Sequence, residues 1–362
     1  MIYIHIPFCH SKCTYCAFHS RPVSRAGVSP YAQYVDALIE EMRQRKGEQA
    51  HPIRTVYFGG GTPSILPLNE LERIVRALHE CFDLSQVEEC TLEGNPEDLT
   101  ADYLRGLRGM GLVNRLSIGI QSLDDDMLRL IGRRHTAAQA LAAVEEAHRA
   151  AFHNLSVDFI YGLPGNSRFS SLDFRLVSHV SSYALTVEPT TALARQVEQG
   201  RVALPDEDEL VRQYYDMCNL LENNGLFQYE VSNFARPGFL SRHNSRYWDR
   251  TPYLGLGPSA HSFDGYRRRW NSAMAAGNGT WRVEDEETLT AADACNELLM
   301  TSLRTTAGLH VNQVPEAYRS QVVRKMQRYL ECRWIVAEED CYRPTREGLL
   351  YADGMAAALF VS

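Results

Sequence analysis

Near its amino end the chain reads Ile2-Tyr3-Ile4-His5-Ile6-Pro7-Phe8-Cys9-His10-Ser11-Lys12-Cys13-Thr14-Tyr15-Cys16, an apolar strand pattern that runs directly into three closely spaced cysteines. Three thiolates on one short loop can hold three irons of a [4Fe-4S] cluster and leave the fourth iron open. A structural zinc site normally takes four ligands, and the nearest additional candidates, His10 and His19, lie in the same loop. A zinc site and a chance grouping of cysteines are the alternatives to a cluster at this point.

Outward from this stretch, the first half of the chain alternates strand patterns with helix patterns. Strands are predicted at Ile2–Ile6, Thr55–Phe58, Cys90–Glu93, Arg115–Ile120, Leu155–Tyr161 and Ser181–Val187. Helices are predicted at Tyr31–Arg45, Asn69–Cys81, Ala101–Met110, Asp124–Ile131 and Thr136–Ala151, with a short one around Ser170–Val177. Such alternation is typical of βαβ units and a parallel sheet. Six strands are too few for a closed eight-stranded barrel, so we predict an α/β fold with a partial, open (β/α)6 barrel.

Each of the six predicted strands ends in a polar or glycine-rich feature. In chain order these are the cysteine group, Gly59-Gly60-Gly61-Thr62-Pro63, Glu93-Gly94-Asn95-Pro96, Gln121-Ser122, Gly162-Leu163-Pro164-Gly165 and Glu188. Asp158 lies within the fifth strand. In parallel α/β folds, ligands bind at the carboxyl ends of the strands. We therefore expect one site that combines the cysteines with these loops.

Beyond residue 190 the regular alternation fades. A helix pattern at Glu207–Asn223 leads to a strand pattern at Phe227–Val231 and then to a glycine- and aromatic-rich stretch. The carboxyl-terminal patterns are helices at Asp293–Leu303, near Val311–Tyr318 and at Ser320–Glu331, a strand at Trp334–Val336 and a last helix from Thr345. We predict a core at 1–190, an extension at 191–285 and a smaller α+β, winged-helix-like region at 286–362. Its acidic residues Glu338, Glu339 and Asp340 argue against DNA binding.

Composition narrows the class of protein. The chain has 362 residues with 44% hydrophobic and 23% charged residues, which excludes a disordered chain, and its net charge of −8 argues against a nucleic-acid partner. There is no apolar run of about 18 residues and no secretion signal at the start. The total of nine cysteines is odd, which is unlike a disulfide framework. A reducing, cytoplasmic location is the expectation.

The cysteine spacing C-x3-C-x2-C, with Tyr15 before the third cysteine, resembles that of the radical S-adenosylmethionine (SAM) superfamily. Further motifs extend this resemblance along the chain to the branch that contains oxygen-independent coproporphyrinogen III oxidase and the HemW-type haem chaperones. They are Tyr3-Ile4-His5-Ile6-Pro7-Phe8-Cys9, Tyr57-Phe58-Gly59-Gly60-Gly61-Thr62-Pro63-Ser64, Ser117-Ile118-Gly119-Ile120-Gln121-Ser122, Gly132-Arg133-Arg134-His135 and Asp158-Phe159-Ile160-Tyr161-Gly162-Leu163-Pro164-Gly165. Collectively these motifs are highly specific.

The resemblance implies a barrel of the radical SAM type and two cofactors. Cys9, Cys13 and Cys16 would hold a [4Fe-4S] cluster, whose open iron would bind the methionine portion of SAM. The residues that would lie around SAM are Tyr3, Tyr15, Gly60, Gly61, Thr62, Glu93, Gln121, Arg133 and Asp158. Taken singly, several of them have a structural interpretation as well: a tight turn for the glycine-rich loop, a helix cap or a solvated carboxylate for Glu93, an ion pair for Arg133 with Asp158, and core packing for Tyr3.

Within this branch, two features favour the haem chaperones. The decarboxylating enzymes carry another cysteine two residues after the third one, where this chain has Phe18, and a longer segment before the cluster than the eight residues that precede Cys9 here. The stretch His243-Asn244-Ser245-Arg246-Tyr247-Trp248 resembles the H-N-x-x-Y-W haem site of the chaperones. It implies that His243 ligates haem iron, with Tyr247 and Trp248 against the porphyrin; a polar-aromatic packing cluster is the alternative.

Three hypotheses for the function follow. The first is a haem chaperone that passes haem to an acceptor apoprotein; the second is a radical SAM oxidoreductase such as coproporphyrinogen III dehydrogenase, and the third a plain zinc or iron–sulfur module. No catalytic residue is assigned. A haem donor is compatible with a haem-linked dimer and with peripheral membrane association, although no basic amphipathic helix indicates the latter. His261 is a second candidate ligand that we interpret as structural, like His5 and His135.

Overall fold

The computed structural model of the chain describes residues 1–23, 30–48, 51–165, 169–275 and 279–362. Its strands are β1 (Ile2–Ile6), β2 (Phe8–Cys9), β3 (Arg21–Pro22), β4 (Thr55–Gly60), β5 (Glu89–Gly94), β6 (Arg115–Gln121), β7 (Asn154–Tyr161), β8 (His179–Ala184), β9 (Phe227–Gln228), β10 (Asn233–Ala235), β11 (Leu254–Leu256), β12 (His261–Phe263), β13 (Arg267–Asn271), β14 (Val283–Thr288), β15 (Leu309–His310), β16 (Ile335–Glu338) and β17 (Cys341–Pro344).

The α-helices are α1 (Tyr31–Arg45), α2 (Leu68–Cys81), α3 (Ala101–Gly109), α4 (Asp125–Leu130), α5 (Ala137–Arg149), α6 (Ala192–Glu198), α7 (Glu207–Asn223), α8 (Arg242–Trp248), α9 (Ala291–Leu303), α10 (Glu316–Glu331), α11 (Arg346–Leu350) and α12 (Ala352–Leu359). Single 3-10 turns lie at Pro63–Ile65, Phe169–Ser171, Phe174–Leu176 and Val311–Gln313. Short polar caps begin many of these helices. At α5, for example, Thr136 and Gln139 form a capping box.

One sheet of nine strands dominates the fold, in the order β11-β1-β4-β5-β6-β7-β8-β10-β9. The six strands predicted from the sequence lie consecutively in its middle and pair in parallel. At one edge β11 adds in parallel to β1, and at the other edge β10 pairs antiparallel with β8. No pairing in the described ranges joins the two edges. The predicted open, partial α/β barrel is thereby confirmed.

Alternate residues of the central strands face opposite sides, as the two-residue period of a strand requires. One set is apolar and almost fully buried between the sheet and the helices; examples are Ile4, Phe58, Leu92, Ile118 and Val157. The other set faces the inside of the barrel and includes most of the polar side chains of the strands: Thr55, Tyr57, Glu93, Arg115, Ser117, Asp158, His179 and Ser181. The inside of this barrel is therefore polar.

The predicted helix around Ser170–Val177 is wrong. The described part of this crossover forms only two 3-10 turns; residues 166–168 lie outside the described ranges. The reason is local, because the Asp173 side chain accepts a hydrogen bond from the Arg175 backbone and competes with a continuous helix. Two other expectations also change. The strand predicted at Phe227–Val231 shortens to β9 (Phe227–Gln228), with Glu230 in an isolated bridge to Thr305. The helix predicted near Val311–Tyr318 is replaced by a 3-10 turn followed by the single helix α10.

The carboxyl-terminal part has a hydrophobic core of its own, built around Leu299, Leu303, Met326 and Leu359. Helices α9, α10 and α12 pack there with the small antiparallel sheet β15-β17-β16. This is the α+β arrangement expected for the region, while the division of the chain at residues 190 and 285 stays a prediction. No helix in the described ranges is long and apolar enough to cross a membrane.

Candidate functional site

The three clustered cysteines line one cavity of about 490 Å³ at the carboxyl ends of the central strands. Cys9 ends β2, whose pairing with β3 fixes the start of the loop. The rest of the loop is held at Thr14, whose backbone N–H and hydroxyl donate to the carbonyl oxygens of Ile131 and Leu130, at 3.0 and 3.1 Å. Tertiary contacts therefore hold a loop that has almost no regular secondary structure of its own.

A partly buried guanidinium lies beside the cysteine loop. Arg133 Nη1 is 3.7 Å from Cys13 Sγ, and Arg133 Nη2 donates to Asn95 Oδ1 and to the Gly119 carbonyl oxygen, both at 2.6 Å. Arg133 thus contacts the cysteine loop together with the ends of two neighbouring strands, and the predicted ion pair with Asp158 is not among its hydrogen bonds.

The glycine-rich loop after β4 lies against the cysteine loop. Gly61 donates its N–H to the Ile6 carbonyl oxygen at 2.8 Å, and a Cβ at this position would lie 2.6 Å from the Phe8 carbonyl oxygen. Gly60 has a φ of 115°, in the region that favours glycine. The Thr62 hydroxyl donates to Cys9 Sγ at 3.5 Å. Close approach of two backbones explains why side chains are absent here.

Two carboxylates form the inner wall of the cavity. Glu93 Oε1 accepts a hydrogen bond from the Tyr57 hydroxyl at 2.7 Å, and its Oε2 lies 3.3 Å from the Gly60 N–H. Asp158 Oδ1 accepts from the Ser117 hydroxyl at 3.1 Å. Burial raises the pKa of Glu93 to about 7 and that of Asp158 to about 6. A ligand that brings positive charge into the cavity would favour the ionised form of both.

The pKa of Glu93 predicts a pH-dependent effect of Glu93→Gln on stability. The Glu93 carboxyl group loses its proton near pH 4.5 in the unfolded chain but only near pH 7 in the folded, ligand-free protein. As the pH rises from 4.5 to 7, the ionised side chain therefore lowers the free energy of unfolding more and more. Glu93→Gln should therefore stabilise the ligand-free protein at pH 8 by up to about 3 kcal/mol, and hardly at pH 4. Urea unfolding at both pH values measures this. The control is Glu88→Gln, at an exposed carboxylate whose pKa is lowered by Arg54, and this variant should not gain stability at pH 8. Equal effects of Glu93→Gln at pH 4 and pH 8 would contradict the raised pKa of Glu93.

Most of the predicted SAM-contacting residues come together in this cavity. Tyr15, Gly60, Gly61, Thr62, Glu93, Gln121, Arg133 and Asp158 all line it. Gln121 reaches it from a bulge at the end of β6, where its φ is 68°. Tyr3 lies behind the lining, where its hydroxyl is 3.1 Å from His5 Nδ1 and its ring stacks on Tyr57. Their roles toward SAM stay predictions.

The cavity fits a cluster better than a single ion. In the described ranges no three His, Cys, Asp or Glu side chains come close enough to hold one metal ion. The thiolates of a [4Fe-4S] cluster each bind a different iron, so three cysteines arranged around a common cavity suit this group. His10, considered for zinc, instead lies 2.8 Å from Asp98 through Nε2.

Helix α8, with the three predicted haem residues, lies at the opposite end of the barrel. His243 is 1% exposed; its Nδ1 is 2.9 Å from the Thr55 hydroxyl and its Nε2 is 3.1 Å from the Tyr247 hydroxyl. The Arg304 guanidinium lies 5.4 Å from the ring centre of Trp248. Thr55 begins β4, whereas the cavity is at its other end, so α8 occupies the amino end of the same strands.

The other histidines have structural surroundings. His135 is buried and contacts the Ile120 carbonyl oxygen at 3.0 Å, and His5 Nε2 lies 3.0 Å from the His19 carbonyl oxygen. His261 stacks on Trp270 in the sheet formed by β12, β13 and β14. These positions agree with the interpretation made from the sequence.

Several residues around these sites were not singled out from the sequence. Asn95, Ser117 and Tyr183 line the cavity, and Thr55, Tyr57 and Glu89 contact α8 or its neighbourhood. The sequence signal that could have identified these residues is the two-residue period of the strands. Once Glu93 and Asp158 are placed inside the barrel, alternation along their strands and the register of the neighbouring strands place the others there too.

Comparisons with known proteins agree with this architecture. A model of the radical SAM superfamily matches residues 3–169. The heme chaperone HemW of Lactococcus lactis subsp. lactis is 36% identical over 329 residues, which cover 88% of this chain and 84% of that protein. The chain belongs to the HemW family of the radical SAM superfamily. The heme chaperone HemW of Bacillus subtilis is 34% identical and covers 87% of this chain and 86% of its own length.

A solved structure extends the likeness of this HemW-family chain to the whole fold. The coproporphyrinogen III oxidase HemN from Escherichia coli superposes with a TM-score of 0.81, covering 99% of this chain and 89% of that one, at 22% sequence identity. At this identity the likeness concerns the fold alone. The predicted resemblance is thus confirmed, and membership in the radical SAM superfamily implies SAM and a [4Fe-4S] cluster as cofactors.

Proposed function

We propose that this protein is a haem chaperone that binds haem through His243, with Tyr247 and Trp248 against the porphyrin, and transfers it to an acceptor apoprotein. The observation that carries the proposal is the placement of these three residues on one short helix, in a chain that matches proteins named heme chaperones along most of its length. Burial lowers the pKa of His243 to about 3. Its imidazole is therefore neutral at physiological pH, the form that ligates haem iron.

In this proposal the cavity holds the other two cofactors. Cys9, Cys13 and Cys16 hold the [4Fe-4S] cluster, and Arg133 contacts Cys13 beside it. Bound together, cluster and SAM can supply one-electron chemistry. The backbone of the loop at Gly60 and the side chains of Glu93, Gln121 and Asp158 supply polar groups to SAM, and the predicted contact of Glu93 with the methionine ammonium group would keep this carboxylate ionised.

The two sites are connected through a single strand. Along β4, Thr55 lies beside His243 while Gly60 lies at the cavity. Between them, the Tyr57 hydroxyl donates to Glu93 and its ring centre is 5.0 Å from that of His243. Tyr57 thus contacts both Glu93 and His243, and this shared contact supports a role of the cofactor cavity in haem delivery.

Anaerobic titration with haem tests the proposal. We expect the wild type to bind haem with a saturable Soret signal, and His243→Ala to weaken the affinity at least about tenfold, equivalent to about 1.4 kcal/mol. His261→Ala is the matched control, because this histidine stacks on Trp270 in a different sheet, and it should bind haem like the wild type. Equal affinities of His243→Ala and the wild type would contradict the proposal.

The same preparations test the alternative oxidoreductase function. Phe18, which stands where the decarboxylating enzymes carry a further cysteine, lines the cavity and is 71% exposed. We expect no decarboxylation of coproporphyrinogen III in the presence of SAM and a reductant, and release of CO2 would favour the oxidoreductase instead. The cytoplasmic location, the haem-linked dimer and the membrane association stay predictions.

A further inference from the structure

We propose that Thr55 is a positioning residue that holds His243 in a docked position inside the barrel, and that α8 must leave this position before His243 can ligate haem. This inference rests on the proposed haem function of His243 and adds a conformational step to it. The docked position is defined here by the contacts of α8 with Thr55, Glu89 and Tyr57.

Both ring nitrogens of His243 are engaged in the docked position. Nδ1 is 2.9 Å from the Thr55 hydroxyl and Nε2 is 3.1 Å from the Tyr247 hydroxyl. A neutral imidazole has one N–H and one lone pair in its plane, and iron ligation needs that lone pair free. With the side chain 1% exposed, a porphyrin cannot approach either nitrogen. Haem ligation and the docked position therefore exclude each other.

A second contact holds the backbone of α8 in the same place. The Glu89 carboxylate, which is 2% exposed, accepts hydrogen bonds at 2.9 Å from the backbone N–H groups of both Arg242 and His243. These are free N–H groups of a helix amino terminus, where a negative charge is favourable. Glu89 begins β5, as Thr55 begins β4, so adjacent strands fix one end of the helix.

The remainder of α8 is bound less completely. The helix has only seven residues, and Trp248 Nε1 is buried without a hydrogen-bond partner in the described part of the chain. A buried N–H without a partner is unfavourable, so the docked position is already penalised at the carboxyl end of the helix. The Thr55–His243 hydrogen bond is one of the contacts that offset this cost, and it can be removed without touching a haem-binding residue.

The test is Thr55→Val, which keeps the shape of the side chain and removes its hydroxyl. His243 Nδ1 then lacks a partner only in the docked position, because water satisfies it after release. Haem affinity depends on the fraction of released protein, so we expect Thr55→Val to bind haem about five-fold or more tightly than the wild type. Amide hydrogen exchange at residues 242–248 of the haem-free protein should also become faster.

Two variants serve as matched controls. Ser156→Ala removes a buried hydroxyl that lies 2.8 Å from His179 Nδ1 at the same end of the barrel. Like Thr55→Val, it removes a contact between a hydroxyl and a histidine, but Ser156 does not contact α8. It should lower stability and leave haem affinity unchanged. Thr55→Ser keeps the hydroxyl and should restore the affinity of the wild type.

The outcomes separate this inference from the proposed function. If Thr55→Val binds haem as tightly as the wild type or more weakly, while His243→Ala loses binding, the inference alone is overturned. If His243→Ala binds haem like the wild type, the proposed function is overturned. Glu89→Gln gives an independent test should Thr55→Val fail to fold. The neutral amide weakens the hydrogen bonds from the Arg242 and His243 N–H groups in the docked position only, so haem affinity should rise, and unchanged or weaker affinity would overturn the inference.

Discussion

After anaerobic reconstitution, Cys13→Ser should retain no stable [4Fe-4S] cluster, with iron and acid-labile sulfide close to those of protein that was never reconstituted. Cys9, Cys13 and Cys16 line the same cavity, and each thiolate would secure a separate iron. With Cys13 replaced, two thiolates remain for three irons, and the Arg133 guanidinium 3.7 Å from Cys13 Sγ loses its negative partner. Iron and sulfide analysis together with the visible absorption spectrum measure the effect.

The control for this experiment is Cys332→Ser. Cys332 is exposed and directly follows α10 in the carboxyl-terminal region, well outside the cavity lining. It should reconstitute like the wild type. Thermal unfolding of both variants before reconstitution separates loss of the cluster from loss of the fold. Full iron content and an unchanged cluster spectrum in Cys13→Ser would refute the assignment of the cysteines.

Arg45→Met should destabilise the whole protein by about 3–5 kcal/mol, because it breaks a buried ion-pair network. The Arg45 side chain is 7% exposed and pairs with Glu41 at 3.0 Å and with Glu48 at 2.9 Å. It also donates to the Gly255 carbonyl oxygen at 2.8 Å and to the Ser262 hydroxyl at 3.0 Å. Because Met fills a similar volume, the decrease in the free energy of unfolding reports the contribution of the charge and its hydrogen bonds. Urea unfolding measures this decrease.

Arg43→Met provides the comparison on the same helix. The Arg43 side chain is 60% exposed, and its Nη1 lies 3.8 Å from Glu40 Oε2 in an exposed ion pair. Exposed pairs of this kind contribute about 0–1 kcal/mol, so this variant should unfold close to the wild-type midpoint. Similar losses of stability in Arg43→Met and Arg45→Met would show that the network is not what joins α1 to residues 255–262.

The fold of the first half was predictable because local patterns determine it. Runs such as Arg115–Ile120 carry β-branched and apolar residues at the strand period, and the helices between them carry apolar stripes and capping residues. The candidate cluster site was predictable for a related reason: the three cysteines are close in sequence, and strand ends gather at one edge of a parallel sheet.

The position of α8 could not be predicted in the same way. His243 contacts Thr55 and its backbone contacts Glu89, across 188 and 154 positions of sequence. No periodicity within the α8 segment encodes such a partner, since the contact depends on which end of the barrel is left open. The three-residue strand β11 was missed because Leu254-Gly255-Leu256 is too short to show a period.

The pairing of β1 with β11 has a consequence for how the chain acquires its structure. β1 is synthesised long before residues 254–256, which form one of its two neighbours, so that side of the strand stays uncovered until β11 has been made. Closing such a large loop is slow. The cysteine loop directly after β1 is thus made long before the scaffold around it is complete, and we expect iron and sulfide to enter this site only after synthesis of the surrounding strands.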